Sequence, residues 1–505
     1  MDGYYTWMLV SASMVLLMTT PALALFYGGM SRSKSVLNMM MMSFSALGVV
    51  GIVYALWGWS MTYSSLDWAA ADAENPGWEF AKLFANPFDQ FGLEGTLPGN
   101  YVFVAFQLTF AVITAALISG AIADRVKFSS WLVFLPIWVT LSYFPLAHMV
   151  WGGGFLSGVE GGLADLIFGG DGAAEVAPID YAGGTVVHIN AGIAGLVLVL
   201  LIGKRLGFGR EPMKPHNLTL TMIGAGLLWF GWFGFNAGSI VFTSTDETEM
   251  IAQFTTETGL VWLNTTLATC AAMLGWLLLE KIRDGKATSL GAASGVVAGL
   301  VAITPACGAL TPLTSMVLGL VAGVLCALAV GLKHRFGYDD SLDVVGVHLV
   351  GGLVGTVGIG FLATSGGLLR GDGLKLLVVQ VAVALFAMLW SAVATLIVGV
   401  LIKATMGWRL LDEDEVEGID FTEHGEAAYD LTNRSGGVLA KQGVLATVGA
   451  GAAPRASAGA TQTSRSEPAK TDDAARTDES ARVEESSTTD EASSSAATSK
   501  EGTLA

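Results

Sequence analysis

Two histidines, His188 and His348, lie inside apolar runs long enough to cross a bilayer. Ionisable groups at membrane depth are costly to bury and mark sites that act on a solute or a proton. Each histidine opens the same pattern, Val-His-x-x-x-Gly-x-x-Gly, with Gly192 and Gly195 after His188 and Gly352 and Gly355 after His348. These glycines share one helix face and let helices approach closely, which leaves little room between the imidazoles. A lone buried histidine is more often a packing group than a working one. Two in matched positions turn the reading towards function, because paired imidazoles pass a proton or hydrogen-bond a neutral solute. Paired histidines also ligate haem b, but that needs a wide cleft, which glycine-mediated packing argues against.

A membrane protein handling a small polar or cationic solute must catch it and replace its water. Trp151 closes the fourth apolar run; Phe106 and Phe110 stand four residues apart in the third, hence on one helix face; Trp232, Phe235 and Ser239 fall in the sixth. Aromatic faces attract a cation by roughly 0.5 to 2 kcal/mol each when partly desolvated, and a serine oxygen accepts an N–H bond. Singly, Trp151 also fits an interfacial aromatic belt, and Phe110 and Phe235 fit plain helix packing. Together, on the side of His188, they read as a solute site. Asp180, just before the fifth run, reads as a cap on the amides of Gly183 and Gly184, with attraction of cations as the alternative. Asp343 is expected to cap the tenth run likewise.

The elements that must position these residues follow from composition. With 505 residues, 52% hydrophobic and only 14% charged, and a mean hydropathy of +0.59, the chain is too apolar for a soluble protein of this length. Eleven apolar runs begin near Tyr5, Val36, Tyr101, Phe128, Thr185, Leu218, Gly259, Ser289, Thr311, Val344 and Leu374. They are continuous rather than alternating, which predicts an all-α polytopic bundle of eleven transmembrane helices and not a barrel. Basic residues gather in alternate connections, from Arg32 and Lys34 to Lys333 and Arg335. This charge bias puts the N-terminus outside and the C-terminus inside, with Arg370 and Lys375 as exceptions in an outer loop. Ala22-Leu23-Ala24 looks like a signal-cleavage site, yet Asp2 precedes the run and the basic residues follow it, the order of a retained helix. The fifth and tenth runs then point in opposite directions, as in an inverted repeat of helices 1–5 in helices 6–10, with helix 11 outside the repeat.

Cys270, Cys307 and Cys326 lie in or beside apolar runs with no CxxC spacing and read as packing residues. No Ser/His/Asp arrangement or metal-ligand cluster supports an enzyme, and no cofactor is implied. The net charge of −17 comes mostly from outer loops and from 412–430, which holds nine acidic residues and no basic ones. It argues against nucleic-acid binding and suits a solvated surface, such as one adapted to high salt. Three regions are expected: a membrane domain over 1–406, an acidic cytoplasmic segment over 407–430, and a disordered Ser/Thr/Ala/Glu-rich tail over 431–505.

Several stretches resemble the ammonium transporters of the Amt/Mep/Rh family, in its prokaryotic Amt form. They include Pro21 to Met30, Ala123-Asp-Arg125, Ala147 to Gly154, Asp180 to Asn190, Pro215-His-Asn217, Gly231 to Ser239, Thr304 to Gly308, Asp343 to His348 and Glu423-His-Gly-Glu426. The likeness runs from Tyr4 to Tyr429. It implies an eleven-helix protomer in a cell-membrane homotrimer, with one pore per subunit. Trp151, Phe110 and Ser239 would recruit ammonium, Phe110 and Phe235 would form the gate, and His188, His348 and Trp232 would line the ammonia pore, with Asp180 and Phe106 in support. A PII-type signalling protein would dock on the cytoplasmic face. An ammonium sensor signalling to a cytoplasmic partner is the alternative. The tail and the outer loop around Asp165 to Glu175 are additions of open role.

Overall fold

The computed structural model describes residues 2–64, 80–170 and 172–429, all within one compact unit, Met1–Asn433. The expected tail, 431–505, lies outside the described residues. Among the described residues, ten helices are long and apolar enough to cross a membrane: α1 (Asp2–Met30), α2 (Val36–Tyr63), α3 (Pro98–Ile122), α4 (Phe128–Trp151), α5 (Gly184–Ile202), α6 (Leu218–Ala237), α7 (Glu247–Asp284), α9 (Pro312–Phe336), α10 (Val345–Leu362) and α11 (Lys375–Thr405). The eighth apolar run forms a helix of 15 residues, α8 (Ser289–Ile303). Among the described residues there are isolated β-bridges but no strands, so the all-α reading holds for a multi-pass membrane protein.

The helices are interrupted where the chain nears its centre. In α4, Pro136 cannot donate its backbone nitrogen, and a π-helical turn follows over Val139–Tyr143. The Thr140 hydroxyl donates to the Pro136 carbonyl at 2.7 Å. Both α5 and α10 begin with π-helical turns, Gly184–Ile189 and Val345–Leu349, and each turn carries its histidine.

Carboxylates hold these two starts. Asp180 accepts the amides of Gly183, Gly184, Thr185 and Val186 at 2.9, 2.6, 2.9 and 3.2 Å. In α10 the cap is Asp340, not the expected Asp343: Asp340 accepts the amides of Val344 at 3.0 Å and Val345 at 2.8 Å. Asp343 does not cap, because its carboxylate is engaged elsewhere. It takes a left-handed backbone, φ 65°, and pairs with Lys333 at 2.7 Å. Its counterpart is Gly183, φ 112°, so both helices are entered through a positive-φ residue.

The two helix starts meet through glycines. A Cβ on Gly192 would lie 2.6 Å from Leu349, and one on Gly352 would lie 3.1 Å from both the Gly184 carbonyl and the His188 Cβ. Any side chain there would push α5 and α10 apart, and the histidines with them.

Beyond α11 two short helices, α12 (Asp412–Glu417) and α13 (Ile419–His424), cover the face where α2 and α4 begin. Asp420 accepts the amides of Leu37 and Asn38 at 3.0 and 2.8 Å, and Glu423 accepts that of Phe128 at 3.1 Å. Each acidic side chain thereby satisfies orphan donors of another helix. Buried Glu415 takes the Leu206 amide and the Arg409 guanidinium, at 2.7 and 2.6 Å. The acidity of this segment is structural as well as solvating. At the opposite face Lys375, an exception to the charge rule, pairs with Glu175.

Candidate functional site

From the face carrying the N-terminus inward, Trp151 comes first. Its indole N–H donates to the Asp180 carbonyl at 2.9 Å, so the ring offers a π-face and not a donor. Ser239 donates its single hydroxyl proton to the Phe235 carbonyl at 2.8 Å. The lone pairs left on that oxygen can only accept, which suits an N–H cation. Phe110 stands edge-on to Trp151 at a centroid distance of 6.0 Å.

Below this group Phe110 and Phe235 stack at 4.0 Å, only 8° from parallel. Rings in van der Waals contact leave no passage between them. Both are buried, so the stack closes the column at this level. Phe106 packs against Phe110 at 4.8 Å and lies outside the cavity beneath.

That cavity has a volume of only about 10 Å³, room for one water-sized molecule, and is walled by Leu23, Phe26, Leu117, Leu228, Trp232 and both histidines among others. Trp232 stacks on His188 at 5.5 Å and is fixed by its N–H to the Thr304 hydroxyl at 2.8 Å. His188 and His348 approach Nδ1 to Nδ1 at 3.3 Å, with ring centroids 5.4 Å apart. Two metal–nitrogen bonds of about 2.0 Å each would not fit in that gap, so haem ligation by this pair is overturned by geometry. Apart from the imidazoles, the Trp232 N–H and the Met18 thioether, the walls are hydrocarbon. Asp180, just ahead of α5, is half-buried. Burial pushes its carboxyl above the usual carboxylate range, against the pull of its four amide bonds.

A family model described as the Ammonium Transporter Family matches residues 6–429. The chain belongs to the ammonium transporter family. The "Ammonium transporter" of Mycobacterium tuberculosis is 50% identical over 462 residues, covering 86% of this chain and 92% of that protein. Among solved structures, a "Sensor Amt Protein" overlays with a TM-score of 0.70 at 26% identity, covering 83% of this chain and 98% of that one. Candida albicans Mep2 gives 0.69 at 28%, covering 82% and 87%.

As an ammonium transporter family member, the chain brings Trp151, Phe110, Ser239, Phe235, Trp232, His188 and His348 into one column. Sequence reasoning missed three supports. Thr304 anchors Trp232, and Asn236 binds Thr265 at 3.0 Å while facing Thr304 at 3.3 Å; both fall in motifs quoted for other reasons. Asp340 was visible in the repeat itself: it precedes His348 by the interval separating Asp180 from His188, at the same 160-residue offset as the histidines.

Proposed function

We propose that this chain takes ammonium from the Trp151 face, strips its proton above the phenylalanine gate, and passes ammonia along the cavity beside His188 and His348. The observation that carries the reading is the unbroken column of cation-attracting rings, closed gate and apolar cavity. An ammonium ion entering hydrocarbon loses its hydration, a penalty that π-faces and one hydroxyl offset only in part. Losing the proton first removes most of that penalty. Membership of a transporter family makes the chain a carrier and not an enzyme, and relatives at 34–50% identity bear the name ammonium transporter, which favours transport over a sensor.

The Trp151 face is the outer one and the α12–α13 face cytoplasmic, in a cell membrane; the basic loops support this orientation. The chain forms a homotrimer with one pore per subunit, as the resemblance implies. Residues 1–406 are the membrane domain and 407–430 a regulatory segment, on which a PII-type protein docks; the ordered acidic helices there support that reading.

The test is current on solid-supported membranes after an ammonium jump, in proteoliposomes holding wild type or the His188→Ala, His348→Ala variant. A wild-type current lost in the variant means that the proton is relayed through the pair. No current, but an ammonia-driven pH change inside, means a neutral channel. Silence in both assays overturns transport.

A further inference from the structure

The turn that presents Trp151 has little of its own to hold it. The α4 helix ends at Trp151, and Gly152, Gly153 and Gly154 follow, three residues with no side chain to pack and wide backbone freedom. The indole itself is tethered by one hydrogen bond, to the Asp180 carbonyl. One bond fixes a point and not a plane. The ring keeps its orientation only if the end of α4 is fixed as well.

One turn earlier, His148 does this. It is fully buried, yet it does not wall the pore cavity. Both of its ring nitrogens meet backbone carbonyls of other segments: Nε2 stands 2.8 Å from the Ala81 carbonyl oxygen and Nδ1 3.0 Å from that of Thr62. A carbonyl only accepts, so each bond takes one ring N–H; a neutral imidazole makes one of them and an imidazolium both. Thr62 lies in the last turn of α2. Ala81 belongs to a tight turn in which the amides of Leu83 and Phe84 bond back to the Phe80 carbonyl, both at 3.0 Å.

The glycines run over the same platform. A Cβ on Gly152 would collide with the Thr62 carbonyl oxygen, and one on Gly154 with that of Lys82. Phe155 then donates its amide to the Lys82 carbonyl at 2.9 Å. The chain on both sides of Trp151 is therefore laid against the end of α2 and the 80–84 turn, and His148 is the side chain that bonds it there.

We infer that His148 is a positioning residue for ammonium recruitment: by donating to the Thr62 and Ala81 carbonyls it fixes the turn that orients Trp151. The inference rests on the recruitment reading given above, in which the Trp151 ring receives the cation.

Ammonium uptake by the full chain in proteoliposomes, resolved into apparent KM and maximal rate, tests it. His148→Leu, which keeps bulk and loses the donors, is expected to raise KM about fivefold, the worth of about one hydrogen bond, with the maximal rate little changed. His148→Gln, whose amide still donates, stays near wild type. In a Trp151→Ala background His148→Leu adds nothing further, because it acts only through that ring. Gly152→Ala, which presses the turn off the Thr62 carbonyl while keeping the imidazole, provides a second variant and is expected to raise KM likewise. An unchanged KM in His148→Leu or in Gly152→Ala, an equal fall in both parameters, a Gln variant no better than Leu, or an undiminished effect without Trp151 each overturns the inference. If Trp151→Ala alone leaves KM unchanged, the recruitment reading falls and takes the inference with it; a raised KM there beside a normal one in His148→Leu overturns the inference alone.

Discussion

His188 and His348 share one contact, Nδ1 to Nδ1 at 3.3 Å, so one of these nitrogens donates a proton and the other accepts it. The pair therefore holds a single proton between its rings and is asymmetric at any instant, although the helices carrying it are matched.

That sharing needs the glycines behind it. Gly352→Ala puts a methyl 3.1 Å from the His188 Cβ, which forces α5 and α10 apart. Ammonium uptake in proteoliposomes is expected to fall at least tenfold. Overpacking of this kind costs about 1–3 kcal/mol, and thermal unfolding in detergent should register it.

At the entrance, Ser239→Ala removes an acceptor and leaves the aromatic rings in place. A single hydrogen bond of about 1 kcal/mol predicts an apparent KM for ammonium about fivefold higher, with the maximal rate little changed. An equal fall in both would place Ser239 in the conduction step.

Phe235→Ala removes half of the Phe110–Phe235 stack. Ammonium flux is expected to persist, while the uptake of methylammonium relative to ammonium, measured with isotope-labelled substrates, rises severalfold. A ratio that stays fixed would mean that selection occurs elsewhere in the column.

Asp340 gives a pH prediction. Burial raises its carboxyl to about 6, with Lys333 and the two amides opposing and Asp343 adding, against about 3.9 unfolded. The folded chain therefore binds this proton more tightly, and the site's contribution to stability is full below about pH 4 and lost as pH climbs to about 6. The difference in unfolding temperature between wild type and Asp340→Asn should shrink across that window and level off above it.

The apolar runs, the twin histidines and the aromatic groups were legible because each is a local signal: length, hydropathy, or a side chain too polar or too large to ignore. The supports were not. Trp232 meets Thr304 across 72 residues, and the Trp151 indole bonds a backbone carbonyl, that of Asp180, which any residue supplies. Asp343 was misread because several acidic residues crowd one entrance, and proximity favours the nearest. Geometry favours the carboxylate four residues ahead, as the spacing before His188 already indicated.

The caps on α2 and α4 also set an order of assembly. Leu37 waits for Asp420, made 383 residues later, and Phe128 for Glu423, 295 residues later. At translation rates of about 5 to 20 residues per second, roughly 20 to 80 s separate Leu37 from its partner. During biosynthesis the second and fourth membrane segments thus sit in the bilayer with their first amides open. Synthesis of 412–424 closes them, so a chain cut short before Asp420 keeps open amides at both helix starts.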